Sequence, residues 1–350
     1  MTSRLRCGSR EPSGSVRRVQ PLDIAIDAIA SETGFSGVVR VDRGGEELVR
    51  PYGLADRAHG IPNAVDTQFA LASGAKSLTA LTVVSLIADG SLELATTARS
   101  VLGDDLPLIA DDVTIEHLLA HRSGIGDYFD EHDGHVMTDY ALSVPVHTLT
   151  TTEDYVGILD GHLTVFPAGT RFAYNNGGFV VLALIAERAA GMAFYDLVRQ
   201  RVCEPAGMGD TAFLRSDELP GRAALGYLGD GPRTNVLHLP VRGTGDGGVY
   251  STAADISSLW RALFAGKIVP EQWVAEMVLP RSEAPENEGR YGLGFWLHTT
   301  SAVVAMEGYD AGVSFRSEHD PATGTTHTVI SNTTDGAWPV SVRVTELLGF

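Results

Sequence analysis

Hydrophobic and polar positions along this chain change their period several times. From Pro21 to Thr33 (PLDIAIDAIASET) apolar residues recur at helical spacing. Next, FSGVVRVDRGGEELVRPYGLADR alternates residue by residue and turns at Arg43-Gly44-Gly45, which predicts a β-hairpin. The longest patterned stretch runs from Thr67 to Gly90. After a polar Ser73-Gly74-Ala75 step, Leu78, Leu81, Val84, Leu86 and Ile87 recur at helical spacing with Ala and Thr between them. That predicts a buried helix with Ser73 in or near its first turn and Gly90 as its stop.

From Ala95 to about Leu239 the pattern breaks into short helical segments and loops, DDVTIEHLLAHRSG, TEDYVGILDGHL, GGFVVLALIAERAAG and FYDLVRQRVCEPAGM. TGDGGVYSTAADISSLWRALFAG follows, a glycine-rich loop closing in an amphipathic helix with Ser251 as its expected cap. The last quarter returns to strands (YGLGFWLHT, AVVAME, GVSFRSEH, TTHTVISN) and ends in the helical WPVSVRVTELLGF. No internal repeat or low-complexity block is present.

Strands at both ends with helices between them point to an α/β fold of the α+β type. One antiparallel sheet, built from N- and C-terminal segments and flanked by helices, would carry an inserted, mostly helical domain. The expected division is a disordered tail over residues 1–20 and one catalytic unit over 21–350. That unit would comprise an α/β subdomain (21–94 and 240–350) and a helical subdomain (95–239), with a site at their junction.

Composition narrows the partners. The 350 residues carry a formal net charge of −18, which argues against nucleic acid or an anionic membrane surface. Two cysteines, Cys7 and Cys203, make no disulfide framework. No run approaches 18 apolar residues, and the N-terminus lacks an apolar core like that of a secretion signal, so the expected location is cytoplasmic.

Three residues apart on a helix, the Ser73 hydroxyl and the Lys76 amine share one face. A serine becomes a nucleophile when a neighbouring base takes its proton. Burial and the positive end of a helix both favour the neutral, proton-accepting amine. In FPAGTRFAYNNGG, Tyr174 sits in a loop before the most apolar helix as a proton-exchange partner. Asn176 is placed to hydrogen-bond the lysine or a substrate carbonyl. In MEGYDAGVSFRS, small residues beside a strand permit close approach of a ligand backbone. His117 and His121 stand four apart without the glutamate of H-E-x-x-H, and helix packing or capping accounts for them better than a metal. Asp130-Glu131-His132-Asp133-Gly134-His135 reads as a solvated acidic loop. No metal or organic cofactor is expected.

Taken together, SGAKSLTALTVVSLIADGSLEL, VTIEHLLAHRSGIGDY, FPAGTRFAYNNGGFVVLALIAERAAGM, CEPAGMGDT, GDGGVYSTAADI and YGLGFW resemble, in order, the serine β-lactamase-related family. The Tyr174-Asn175-Asn176 form points to its class C branch, which includes β-lactamases, D-Ala-D-Ala carboxypeptidases, D-aminopeptidases and carboxylesterases. The resemblance implies Ser73 as nucleophile, Lys76 as its proton acceptor, Tyr174 as acid or base partner and Asn176 as substrate and lysine contact. It departs in the third motif, where a basic residue, a small residue and glycine are usual. Here the nearest register is Gly308-Tyr309-Asp310, followed by Ala311, with Gly308 at the basic position. Tyr309, Asp310 and Ala311 are the substrate-binding candidates, one oxyanion donor being expected at Ser73 and another near Ala311.

The expected function is a serine hydrolase cleaving an ester or amide of a small or peptide-like substrate through an acyl-enzyme on Ser73. Loss of the basic residue tilts the substrate toward neutral or cationic compounds. The alternatives are a β-lactamase, D-Ala-D-Ala carboxypeptidase or D-aminopeptidase, an acyltransferase or peptide cyclase, and a catalytically silent binding member.

Overall fold

The computed structural model describes residues 21–129, 136–284 and 289–350. The N-terminal tail and the acidic stretch Asp130–His135 lie outside the described residues. Five longer helices organise the chain: α1 (Leu22–Thr33), α2 (Ala75–Ala88), α3 (Asn176–Ala190), α4 (Ala253–Phe264) and α5 (Ala337–Leu348). The main sheet comprises β1 (Gly37–Arg43), β2 (Glu46–Tyr52), β3 (Ser282–Ala284), β4 (Gly289–Tyr291), β5 (Trp296–Leu297), β6 (Val304–Asp310), β7 (Val313–Asp320) and β8 (Thr325–Ser331). Its order is β2-β1-β8-β7-β6-β5-β4-β3, and every neighbouring pair is antiparallel. N-terminal β1 pairs with C-terminal β8 in the register Val38↔Ile330, which joins the two ends of the chain as the alternation predicts.

The two-residue period of the strands sets the layers. Val39, Val41 and Val329 pack under Ile26 and Ala30 of α1 and Val340 and Val344 of α5. Their neighbours Val38 and Ile330 join the opposite, larger core with α2, α3 and α4. Gly44 and Gly45 take positive φ of 61° and 84° at the first hairpin, a turn that residues with a Cβ adopt only under strain. Helix α2 is buried on every side from Ala75 to Ile87, so it is the central element of the larger core rather than a surface helix. Each of its leucines contributes about 1.5–3 kcal/mol through burial.

Two local expectations are corrected. The segment around His117 forms only one helical turn, Ile115–Leu119, because His121 takes a left-handed φ of 53° just beyond it. Helix α4 is capped by Thr252, whose hydroxyl accepts the Asp255 N–H at 3.1 Å, and not by Ser251. Ser251 lies in a two-residue strand paired with Phe69–Ala70 and bonds Thr211.

On the α1/α5 side, a fully buried Glu318 joins Arg316 at 2.6 Å, His327 at 2.8 Å and Thr345 at 2.7 Å. Burial alone would push this carboxyl up. Hydrogen bonds from His298 and His327, and the Arg316 charge, hold it far below its ordinary value.

Candidate active site

Ser73 occupies a 3-10 turn, Ala72–Gly74, that runs directly into α2. Three contacts fix this turn. Leu71 N–H donates to Val249 O at 2.9 Å, Gly74 N–H donates back to Leu71 O at 2.9 Å, and β6 presses against it at Gly308. Ala72 is held at φ 45°, a strained conformation immediately before the serine. The turn also sets Ser73 at the positive end of α2, where backbone N–H groups favour developing negative charge.

Lys76 is 2% exposed, and among the described residues its Nζ reaches three acceptors: Ser73 Oγ at 2.8 Å, Asn176 Oδ1 at 2.7 Å and the main-chain oxygen of Asp246 at 2.9 Å. Ser73, Lys76 and Asn176, spread over a hundred residues, therefore meet at one point. Tyr174 joins them, with Lys76 Nζ lying 4.9 Å from its ring centroid. The ring stacks on Trp296 at 6.1 Å and packs at a tilt of 32° against His121 at 4.3 Å.

The segment that carries Tyr174 and Asn176 is clamped from outside. His121 takes the Ala173 N–H on its main-chain oxygen and the Asn175 N–H on Nδ1. Burial, with the Lys76 charge adding to it, drives its pKa well down, which keeps the ring neutral and Nδ1 an acceptor. Asn175 caps α3 by accepting the Gly178 N–H. Asp127 takes the N–H groups of Asn176 at 2.6 Å and Gly177 at 2.8 Å. Burial lifts the Asp127 carboxyl to about 7 against those bonds.

A solvent-open cleft of about 1000 Å³ lies beside Ser73. Tyr309, Asp310 and Ala311 line it together with Ser73 and Asn176, whereas Lys76 and Tyr174 are not among its lining residues. The Ala311 N–H, expected as an oxyanion donor, is taken by Asp310 Oδ1 at 2.7 Å. Gly308 does not belong to the lining: a Cβ there would stand 1.9 Å from Leu71 O. No side chain, basic or otherwise, fits at that register in this chain, and Tyr309 is the first residue of the motif to reach the cleft.

The sequence left four participants unassigned: His121 as a clamp, Asp127, Tyr128 and Asp246. Tyr128 OH donates to Asp246 Oδ2 at 2.5 Å, and both line the cleft. Burial raises the Asp246 carboxyl, opposed by Lys76 and Tyr128. An aspartate inside the glycine-rich G-D-G-G was the available signal. Among the described residues, no group of three or more His, Cys, Asp or Glu side chains is placed to hold a metal ion.

Comparison with known proteins identifies the family and its fold. The family model described as Beta-lactamase matches residues 22–347. The esterase EstB of Burkholderia gladioli is 35% identical over 59% of this chain and 54% of its own length. A D-aminopeptidase of Cereibacter sphaeroides is 26% identical over 85% of this chain and 56% of its own. The chain thus spans little more than half the length of these curated relatives. The crystal structure of a penicillin binding protein from Bacillus halodurans superposes with a TM-score of 0.86 at 34% identity, covering 92% of this chain and 99% of that one.

Proposed function

The chain belongs to the Beta-lactamase family, and from that premise we propose that it is a serine hydrolase working through an acyl-enzyme on Ser73. The observation that carries this reading is the buried Lys76 Nζ, 2.8 Å from Ser73 Oγ. In the proposed reaction Lys76, a cation in the resting site, first gives up one proton and then, as the neutral amine, takes the hydroxyl proton while Ser73 Oγ attacks the ester or amide carbonyl. The tetrahedral oxyanion is held by backbone donors at Ser73 and at Ala311, the latter released from Asp310 as substrate enters. Tyr174, beside Lys76, relays the proton to the leaving group. Water then attacks the acyl-enzyme by the reverse route.

Asn176 serves both partners: its Oδ1 orients Lys76, and its Nδ2, now on Phe129 O at 3.0 Å, faces the cleft wall. Among the described residues no lysine or arginine side chain lines the cleft, whereas Asp246 and Asp310 do. An anionic β-lactam or a peptide carboxylate meets repulsion there. A neutral or cationic ester or amide does not, which favours an esterase or amidase over a penicillin-hydrolysing enzyme. The test is turnover of a short-chain p-nitrophenyl ester by the wild type and by Ser73→Ala. The variant should lose on the order of 10³-fold or more in kcat/KM. Retained turnover in the variant would move the nucleophile elsewhere.

A further inference from the structure

The two ends of a substrate can be told apart in this site. In the proposed reaction the leaving group takes its proton through Tyr174 and Lys76, and neither lines the cleft beside Ser73. The leaving group therefore departs away from that cleft, and the part of the substrate that stays on Ser73 extends into it. The wall there offers few polar partners. Tyr128 donates its hydroxyl to Asp246 at 2.5 Å, Tyr140 to Tyr128 O at 2.7 Å and Tyr155 to Arg242 O at 2.7 Å. Asn235 Nδ2 donates to Ala311 O at 2.9 Å, and the Asp246 charge is offset by nearby Lys76. With these groups turned to the protein, aromatic carbon and the side chains of Met137, Leu214, Leu239 and Val241 remain for a ligand. Tyr140, Leu142 and His238 also line a second, solvent-open cavity of about 1140 Å³, which thus adjoins the first. Its lining is mixed, with Val144, Val146 and Leu237 set among Asp139, His147 and Arg233. Leu237 is 83% exposed, more than any other large apolar side chain among the described residues. An apolar group left in water at the edge of a reactive cleft gains free energy when an apolar substrate covers it.

We propose that the cleft beside Ser73 is an acyl-chain site, so that the preferred substrates are esters or amides of unbranched medium-chain acids. The chain lies along the apolar wall and passes Leu142 into the second cavity, where Leu237 covers its far end. Each methylene taken fully out of water is worth a factor of about four in binding. This inference rests on Ser73 being the acylated residue and names the class of acyl group it carries.

The experiment measures kcat/KM of the full chain for p-nitrophenyl acetate, butanoate, octanoate and dodecanoate, below the concentrations at which they form micelles. Active sites are counted by a fluorophosphonate adduct on Ser73. The expected result is a gain of about two- to fourfold per methylene up to octanoate, so about 60-fold or more over acetate. Octyl acetate and ethyl acetate, which lengthen the alcohol instead, should differ by less than about threefold. Leu142→Asp should lower the octanoate-to-acetate ratio by about tenfold or more. Leu237→Asp, at a position already in water, should lower the dodecanoate-to-octanoate ratio. A wild-type octanoate-to-acetate ratio below about threefold, with the adduct present, overturns the inference and leaves the hydrolase reading standing. An equal gain along the alcohol series overturns it as well, and so does a wild-type ratio kept in Leu142→Asp. Absence of both adduct and turnover overturns the hydrolase reading and this inference with it. The wild-type series decides the matter even where Leu142→Asp fails to fold.

Discussion

Gly308→Ala probes how the sheet positions the nucleophile. Gly308 lies opposite Phe315 in the β6–β7 pair, and its missing side chain is where the Leu71 carbonyl sits. That same carbonyl accepts the Gly74 N–H that closes the turn carrying Ser73. A methyl at 308 would stand 1.9 Å from it, where ordinary contact begins at 3.4 Å, so the turn or the strand must yield by about 1.5 Å. Neither is free to do so: a Cβ at Gly74 would already lie 2.7 Å from the Phe315 ring. Overpacking of this kind costs about 1–3 kcal/mol, or roughly 1–4 °C in melting temperature at this chain length. Displacing a reacting group by ~1 Å costs on the order of 10²-fold in rate. The assay is kcat/KM for p-nitrophenyl acetate per titrated site, with thermal melting alongside. Gly209→Ala, where an added methyl meets nothing, is the control that should change neither. Gly308→Ala within threefold of wild-type activity and with an unchanged melting temperature would refute the claim that this contact sets Ser73.

Other outcomes follow from the same geometry. Tyr174→Phe should lower kcat/KM by about 10²- to 10⁴-fold at unchanged melting temperature; an effect below threefold would leave Lys76 to move the protons alone. Glu318→Gln should destabilise by about 1–3 kcal/mol, because the buried His327 and the half-buried Arg316 lose a carboxylate partner, Arg316 keeping Glu307 at 3.3 Å, while kcat/KM per folded molecule holds. The Glu318 carboxyl is depressed in the folded state, so its contribution is complete above its ordinary 4.5 and is lost as pH falls below that value. The wild-type melting temperature should therefore decline in acid more steeply than that of Glu318→Gln; parallel curves would contradict this.

Much of the fold was legible because its signals are local. The alternation around Gly44-Gly45, the helical spacing after Ser73 and the strand runs of the last quarter each report one face of one element, and all three stand where the sequence places them. The short helix at Ile115 and the cap of α4 were misjudged for the opposite reason. A left-handed His121 and a hydroxyl drawn to Thr211 are decided by neighbours far along the chain. The site divides in the same way. Ser73 and Lys76 are one helical turn apart, so their meeting follows from helix geometry. Asp246 and Tyr128 are separated by 118 residues and belong to loops, and no period in the sequence links them. The collision at Gly308 is likewise a matter of tertiary approach, invisible until β6 is laid against the turn.

The most direct test of the central claim is mass spectrometry of the full chain after reaction with a fluorophosphonate, followed by peptide mapping. A single adduct on Ser73, absent from Ser73→Ala and strongly slowed in Lys76→Ala, is the predicted result. An adduct on another residue, or none on a folded chain, would contradict it.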